Sequence, residues 1–210
     1  MSKTYEFILA SSNAHKASEL QELFILFGGE NFKILAANEQ LEVEETGLSY
    51  NENAFLKASS YYKKFKRPTL ADDSGLTVTA LADELGLYSA RFGGEGLSDS
   101  QRCQLLLKKL ENFKEKEERH AYFTCCLCLY FSPEEVFFFE GRVLGSIGHE
   151  LKGEGGFGYD PLFIPQNYDD KSSLAEILDW KNQNSHRALA VKAACAFLTG
   201  QKRIGNCQKA

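Results

Sequence analysis

Two long apolar runs near the middle of the chain limit what it can fold into. Residues 121–131 and 136–143 are rich in aromatic and β-branched side chains, and Ser132-Pro133-Glu134-Glu135 stands between them. Such residues suit a pleated, half-buried surface, and the Ser-Pro step marks a turn. The two runs therefore predict long antiparallel strands. The rest of the chain has a different rhythm. Residues 5–10 predict a short strand. Leu20, Leu23, Phe24 and Phe27 follow i, i+3, i+4, i+7 spacing, which predicts a helix stopped by Gly28-Gly29. Residues 33–36 predict a second strand and 41–49 an acidic loop. A second helix is expected from about residue 51 to 65, with Ala54, Phe55, Ala58 and Tyr62 facing inward and Pro68 breaking it. Residues 69–72 predict a strand that enters a turn at Asp73-Ser74-Gly75.

Further on, Ser98 and Gln101 form a capping-box pattern, with a helix reaching Leu110. Residues 111–119 predict a solvated connection. The C-terminal part predicts a glycine-rich loop, a short helix near residues 172–178 and a final helix capped by Ser185. That helix is expected to pack Leu189, Ala193, Ala196 and Phe197 and to stop at Gly200. Long antiparallel strands set into an alternating α/β chain predict an α/β fold with a mixed sheet and a second lobe.

A chain of 210 residues, 43% hydrophobic, can bury the core of one sizeable domain or of two lobes sharing an interior. Its 24 basic residues against 29 acidic ones leave a net charge of −5, which argues against a broad nucleic-acid-binding face. A small phosphorylated ligand stays possible, because a local basic cluster or a metal can supply positive charge. The polar start and the short apolar run after it predict no secretory leader, and no stretch approaches the roughly 20 apolar residues of a membrane helix. Cys125, Cys126 and Cys128 lie within the run at 121–131. They are expected to be small, buried, reduced core residues of a cytoplasmic protein.

Several segments carry the ingredients of phosphate chemistry. Ser11-Ser12-Asn13-Ala14-His15-Lys16 joins a strand to a helix start, where unpaired N–H groups, hydroxyls and a lysine together favour an anion. Alone, it also fits an ordinary helix cap. Glu44-Glu45 and Asp72-Asp73 are acidic doublets placed in loops at strand ends. Asp72-Asp73 follows an apolar approach, and adjacent carboxylates near a core need a cation or donors to compensate them. Oxygen ligands suit Mg²⁺, and a spare carboxylate can act as general base for water. Asn53 and Lys57 share one helix face. Arg91 lies beside Gly93-Gly94, which suggests a tight turn. The loop around Phe157-Gly158-Tyr159-Asp160 lacks the P-loop ending, but its glycines permit close backbone approach, and Phe157 or Tyr159 offers a ring to a flat base. Lys181, His186 and Arg187 bring donors suited to a carbonyl oxygen.

Together, Ser-Ser-Asn-x-x-Lys, Glu-Glu-Thr-Gly, Glu-Asn-Ala-Phe-Leu-Lys-Ala, Ala-Asp-Asp-Ser-Gly-Leu, Tyr-Ser-Ala-Arg-Phe-Gly-Gly, Gly-Gly-Phe-Gly-Tyr-Asp-Pro and Lys-x4-Ser-His-Arg occur in one order. This resembles the Ham1/RdgB family, the inosine triphosphate pyrophosphatases, over about residues 7–190. The resemblance implies a single domain of two lobes around a long curved mixed sheet, with the site in the cleft, and a homodimer without nucleic-acid or membrane partners. It implies Mg²⁺ and water attack at the α-phosphorus of non-standard purine nucleoside triphosphates such as ITP, dITP and XTP. Carried over by motif, Ser11, Ser12, Asn13, Ala14, His15 and Lys16 would hold phosphates with Lys57 and Arg91. Glu44, Glu45, Asp72 and Asp73 would supply metal ligands, with Asp73 as general base and Ser74 touching substrate. Phe157, Gly158, Tyr159, Asp160, Lys181, His186 and Arg187 would surround the nucleoside. Trp180 departs from the acidic residue the family often has there. A Maf-like nucleotide pyrophosphatase fits the Ser-His-Arg and Phe-Gly-Tyr-Asp segments less well. A non-catalytic nucleotide sensor would need no base at Asp73.

Overall fold

The computed structural model describes residues 4–200. One six-stranded mixed sheet runs through them. The strands are β1 (Tyr5–Leu9), β2 (Phe32–Ala36), β3 (Thr69–Val78), β4 (His120–Ser132), β5 (Glu135–Ile147) and β6 (Phe163–Pro165). Their order is β2-β1-β3-β4-β5-β6. β1 is parallel to both β2 and β3, while the remaining pairs are antiparallel. The expected hairpin is therefore present, and each of its arms is 13 residues long.

Helices α1 (Ala14–Gly28) and α5 (His186–Leu198) cover one sheet face, where Leu20, Leu23, Phe24, Val191 and Ala194 pack on Phe7, Leu9, Leu70 and Leu127. Helix α2 (Tyr50–Phe65) covers the other face, with Ala54, Ala58 and Tyr61 against Ile8, Ala71, Cys126 and Cys128. Side chains alternate across a strand, so neighbouring residues of β3 belong to opposite cores. Helix α3 (Asp99–Lys109) packs Cys103 and Leu106 onto the far halves of the hairpin strands, beside Phe123, Val143 and Phe163, and this forms the second lobe. The Ser98–Gln101 capping box is made as expected. The described cysteines are free and buried, and burial pushes the Cys126, Cys128 and Cys195 thiols up to about 12. No described helix is long and apolar enough to cross a membrane.

Several expectations need correction. No turn forms at Asp73-Ser74-Gly75; β3 continues to Val78, because the ladder with β4 pairs each residue from Thr69 to Val78. The doublet Asp72-Asp73 thus sits in mid-strand rather than in a loop. The helix expected near 172–178 begins later, as α4 (Leu178–Asn184). Ahead of it the Asp169 carboxylate accepts from the N–H groups of Lys171 and Ser172, which commits those donors to a turn. Phe55 is 39% exposed, and Asn53 takes an inward position on α2 instead. On α5, Leu189 and Phe197 lie outside the buried face, which is built from Arg187, Ala188, Val191, Ala194 and Cys195. Residues 111–119 are not wholly solvated. Arg119 is buried and donates to the carbonyls of Leu110, Phe113, Ile147 and Gly148, which ties the end of α3 to the end of β5.

The seat of α5 depends on a missing side chain in β5. A Cβ on Gly141 would lie 2.0 Å from the His186 carbonyl oxygen and 2.7 Å from the Ala190 nitrogen. Both neighbours are backbone and have little room to move. Gly141→Ala is expected to destabilise the fold by about 2–3 kcal/mol. A thermal melt should show the midpoint falling by roughly 5–10 °C; an unchanged midpoint would mean that α5 does not rest on the sheet here.

Candidate active site

The segment from Ser11 to Lys16 links β1 to α1 as expected. Asn13 is the N-cap: its side chain accepts from the Lys16 N–H at 3.1 Å, and its own N–H donates to Ser11 Oγ at 3.3 Å. Among the described residues, the Ala14 and His15 N–H groups of the first turn have no acceptor. They stay available to an anion, beside the positive end of the helix.

Strand alternation splits the aspartate doublet. Asp72 points toward α1 and α5 and is 1% exposed. Its Oδ2 lies 3.3 Å from Lys16 Nζ and 3.3 Å from Arg187 Nη2, and Ser74 Oγ donates to it at 3.2 Å. Arg187 also donates to Ser74 Oγ at 2.9 Å and pairs with Glu19. Burial alone would raise the Asp72 carboxyl, but Lys16, Arg187 and Lys57 outweigh it and hold it well below the usual carboxylate range.

Asp73 points toward α2. Lys57 donates to its Oδ1 at 3.0 Å and Asn53 to its Oδ2 at 3.3 Å, as the shared helix face of those two residues suggests. Here burial prevails: with Glu45 adding repulsion, Lys57 and Lys16 offset it only in part, and the Asp73 carboxyl is raised. The doublet therefore holds two carboxylates of unequal basicity, separated by the thickness of one strand.

The acidic loop before α2 bends back onto this point because the Gly47 N–H donates to Asn53 Oδ1 at 2.8 Å. That places Glu45, rather than Glu44, against Lys57. Glu45 accepts from Lys57 at 2.8 Å and from Arg91 at 2.7 Å. Glu44 is exposed and makes no ion pair among the described residues; it lines a cavity of about 460 Å³ together with Ser11, Ser12, Glu45, Lys57 and Tyr61. Glu45 and Asp73 thus share the Lys57 ammonium, while Asp72 lies behind the strand. Among the described residues no three histidine, cysteine or acidic side chains form a ready-made metal cage.

On the other side of Lys16 lies a cavity of about 200 Å³, lined by Phe157, Tyr159, Asp160, Lys181, His186 and Arg187 among others. The sequence-expected nucleoside residues meet here. Tyr159 is a wall, not a free ring, since its hydroxyl donates to the Ser89 carbonyl at 2.7 Å. The Gly158 N–H donates to Asp99 Oδ2 at 2.8 Å. Asp160 accepts from the Phe157 N–H at 2.9 Å and from Lys181 Nζ at 2.8 Å. His186 stacks on Phe123 with ring centroids 4.7 Å apart, and its Nδ1 is buried without a partner. Burial, reinforced by Arg187 and Lys181, pushes this histidine well below its usual range, so its ring is neutral near pH 7.

Glu19 is the residue the sequence did not reveal. It is buried on α1, three positions after Lys16, and pairs with both Lys181 (3.2 Å) and Arg187. The only available signal was an acidic residue one turn beyond the lysine, beside Leu20 on the packed face. Glu19 and the two aspartates Asp72 and Asp160 hold the pocket cations in a continuous row.

Because the Asp72 carboxyl is depressed below its ordinary 3.8, its ionic contribution to stability is present above that value and is lost as pH falls toward the folded value. Asp72→Asn leaves buried cations under-compensated and is expected to cost about 3 kcal/mol at neutral pH. In urea unfolding, the gap to the unsubstituted protein should stay constant down to about pH 4 and close progressively below it. A gap independent of pH would contradict the ionic account.

The match to the family model described as the Ham1 family covers residues 7–197. The dITP/XTP pyrophosphatase of Aquifex aeolicus is 39% identical over 213 residues, covering 97% of this chain and 98% of that protein. The dITP/XTP pyrophosphatase of Bacillus subtilis is 39% identical over 194 residues, covering 92% and 96%. Among solved structures, the Ham1 protein of Staphylococcus aureus superposes with a TM-score of 0.79 at 37% identity, covering 94% of this chain and all of that one. A HAM1 protein from Coxiella burnetii gives 0.81 at 35% identity, with 94% of this chain and 100% of that one covered. The match spans the doublet strand, helix α1 with its Asn13 cap and the Ser-His-Arg helix alike, and the chain belongs to the Ham1 family.

Proposed function

We propose that this chain hydrolyses non-standard purine nucleoside triphosphates, ITP, dITP and XTP, to the monophosphate and pyrophosphate, with Mg²⁺ as cofactor. The observation that carries this reading is the row of cations at Lys16, Lys57 and Arg187. Lys16 and Arg187 line a cavity of about 200 Å³ and Lys57 lines a larger one of about 460 Å³; Asp72 lies between the first two cations, and the more basic aspartate, Asp73, pairs with Lys57. The named activities of the Aquifex and Bacillus relatives support the same substrate class.

The phosphates lie along the first turn of α1, where the Ala14 and His15 N–H groups, Ser11, Ser12 and Lys16 face them. Lys57 and Arg91 add charge from the second side. Two acidic groups converging on one ammonium in a half-buried cleft suit a hard divalent cation, whose ligands are oxygens. Glu45 and Asp73, with Glu44 beside them, would hold Mg²⁺, which when bound neutralises phosphate charge. Asp72 is enclosed by Lys16 and Arg187 and balances their charge. Asp73 takes the proton of a water attacking the α-phosphorus. The new O–P bond forms as the bond to the bridging oxygen breaks, and pyrophosphate leaves with that electron pair. A raised carboxyl is a better base than an ordinary one.

Base choice follows from the other cavity. Lys181 and Arg187 present donors, and His186 is neutral with an unpartnered ring nitrogen. A 6-oxo purine satisfies such donors, whereas the amino group of adenine leaves them unpaired at a buried site. The same reading includes a homodimer acting in the cytoplasmic nucleotide pool.

Product analysis with ITP, GTP and ATP, each with and without Mg²⁺, tests this. Magnesium-dependent IMP plus pyrophosphate is expected, with ITP favoured over ATP by roughly 100-fold or more. IDP plus orthophosphate, or no turnover of any of the three, would overturn the proposal.

A further inference from the structure

His15 belongs to the phosphate segment, yet its side chain lies elsewhere. It is the second residue of α1, so its backbone N–H is one of the first-turn donors facing the phosphate region. Its imidazole lies against the ring of Phe157, with centroids 5.5 Å apart and planes 17° from parallel. His15 also lines the base-side cavity. One residue therefore contributes main chain to one half of the site and a ring to the other.

Phe157 needs such a neighbour. It stands between Gly156 and Gly158, both at positive φ (71° and 62°), so the backbone turns sharply on either side of it. The loop is fastened from behind by Asp160 at the Phe157 N–H, by Asp99 at the Gly158 N–H and by Cys103 Sγ donating to the Gly158 carbonyl at 3.3 Å. Those bonds hold backbone, not the ring. The phenyl itself has Lys181 Nζ 4.9 Å and Arg187 Cζ 5.7 Å from its centroid, both buried and held by carboxylates, and the stacked imidazole of His15, which is exposed. Near-parallel offset rings attract through their quadrupoles as well as through contact area.

We infer that His15 is a positioning residue for the purine. Its ring fixes Phe157 as the wall of the base pocket, and its place in the capped first turn ties that wall to the phosphate segment. Phosphate binding then orders the base pocket through one side chain. The inference rests on the proposed function for its ligand. His15 is exposed, so removing its ring leaves the cores intact.

Calorimetric titration of His15→Ala and His15→Phe with IMP and, separately, with pyrophosphate tests it, alongside steady-state kinetics on ITP. His15→Ala should weaken IMP binding about three- to tenfold, raise KM for ITP by the same factor, and cost pyrophosphate affinity less than IMP affinity. His15→Phe should restore IMP affinity. Unchanged or tighter IMP binding, equal loss of IMP and pyrophosphate affinity, or no rescue by phenylalanine would overturn the inference, as would failure of the unsubstituted protein to bind IMP. If the unsubstituted protein binds IMP but hydrolyses no triphosphate, the proposed function fails, while the titrations still decide the role of His15.

Discussion

The structure depends on accommodating two adjacent carboxylates in the middle of its central sheet. Asp72 and Asp73 are 1% and 6% exposed, on a strand with neighbours on both sides. Left uncompensated, buried carboxylates cost several kcal/mol each. The period of two along a strand sends them to opposite faces, so the charge is divided rather than concentrated. Each covering helix then supplies a cation: Lys16 from α1 and Arg187 from α5 to Asp72, and Lys57 from α2 to Asp73. The helices that cover the two faces of the sheet at β1 and β3 thereby also supply the cations of the doublet.

This division also differentiates the pair. Asp72 receives two close cations and a hydroxyl donor, and stays ionised well into acid. Asp73 is raised by burial first and by repulsion from Glu45, with which it shares Lys57; the lysine offsets this only in part. Two neighbouring identical residues thus differ in basicity through their surroundings alone, a pattern familiar in sites that tune paired acids apart. A second ion row, Asp160–Lys181–Glu19–Arg187, carries the same order into the cavity beside Phe157.

Local signals in the sequence were sufficient for much of this. The spacing of Leu20, Leu23, Phe24 and Phe27, the Ser98–Gln101 box and the aromatic density of the hairpin arms each specify an element from nearby residues, and each is present. The errors occur where distant partners decide. Asp73-Ser74-Gly75 has turn chemistry, but pairing with Cys125 and Cys126 and their neighbours keeps it extended. Arg119 in a charged run looks solvated until four carbonyls converge on it. The inward face of α5 includes Arg187 and His186, which an apolar-period search assigns to solvent. Glu19 was missed for the same reason, and Glu44 and Glu45 were indistinguishable until Asn53 fixed the loop that carries them.

On the proposed reaction, Asp73 and not its neighbour supplies the base, while Asp72 balances charge. The most direct measurement is the single-turnover rate of Asp73→Asn on ITP, taken with its nucleotide affinity and melting temperature. The expected result is a folded protein of nearly unchanged midpoint that still binds ITP and whose hydrolysis is slower by about 100-fold or more. Hydrolysis at the unsubstituted rate, with affinity and midpoint intact, would contradict it.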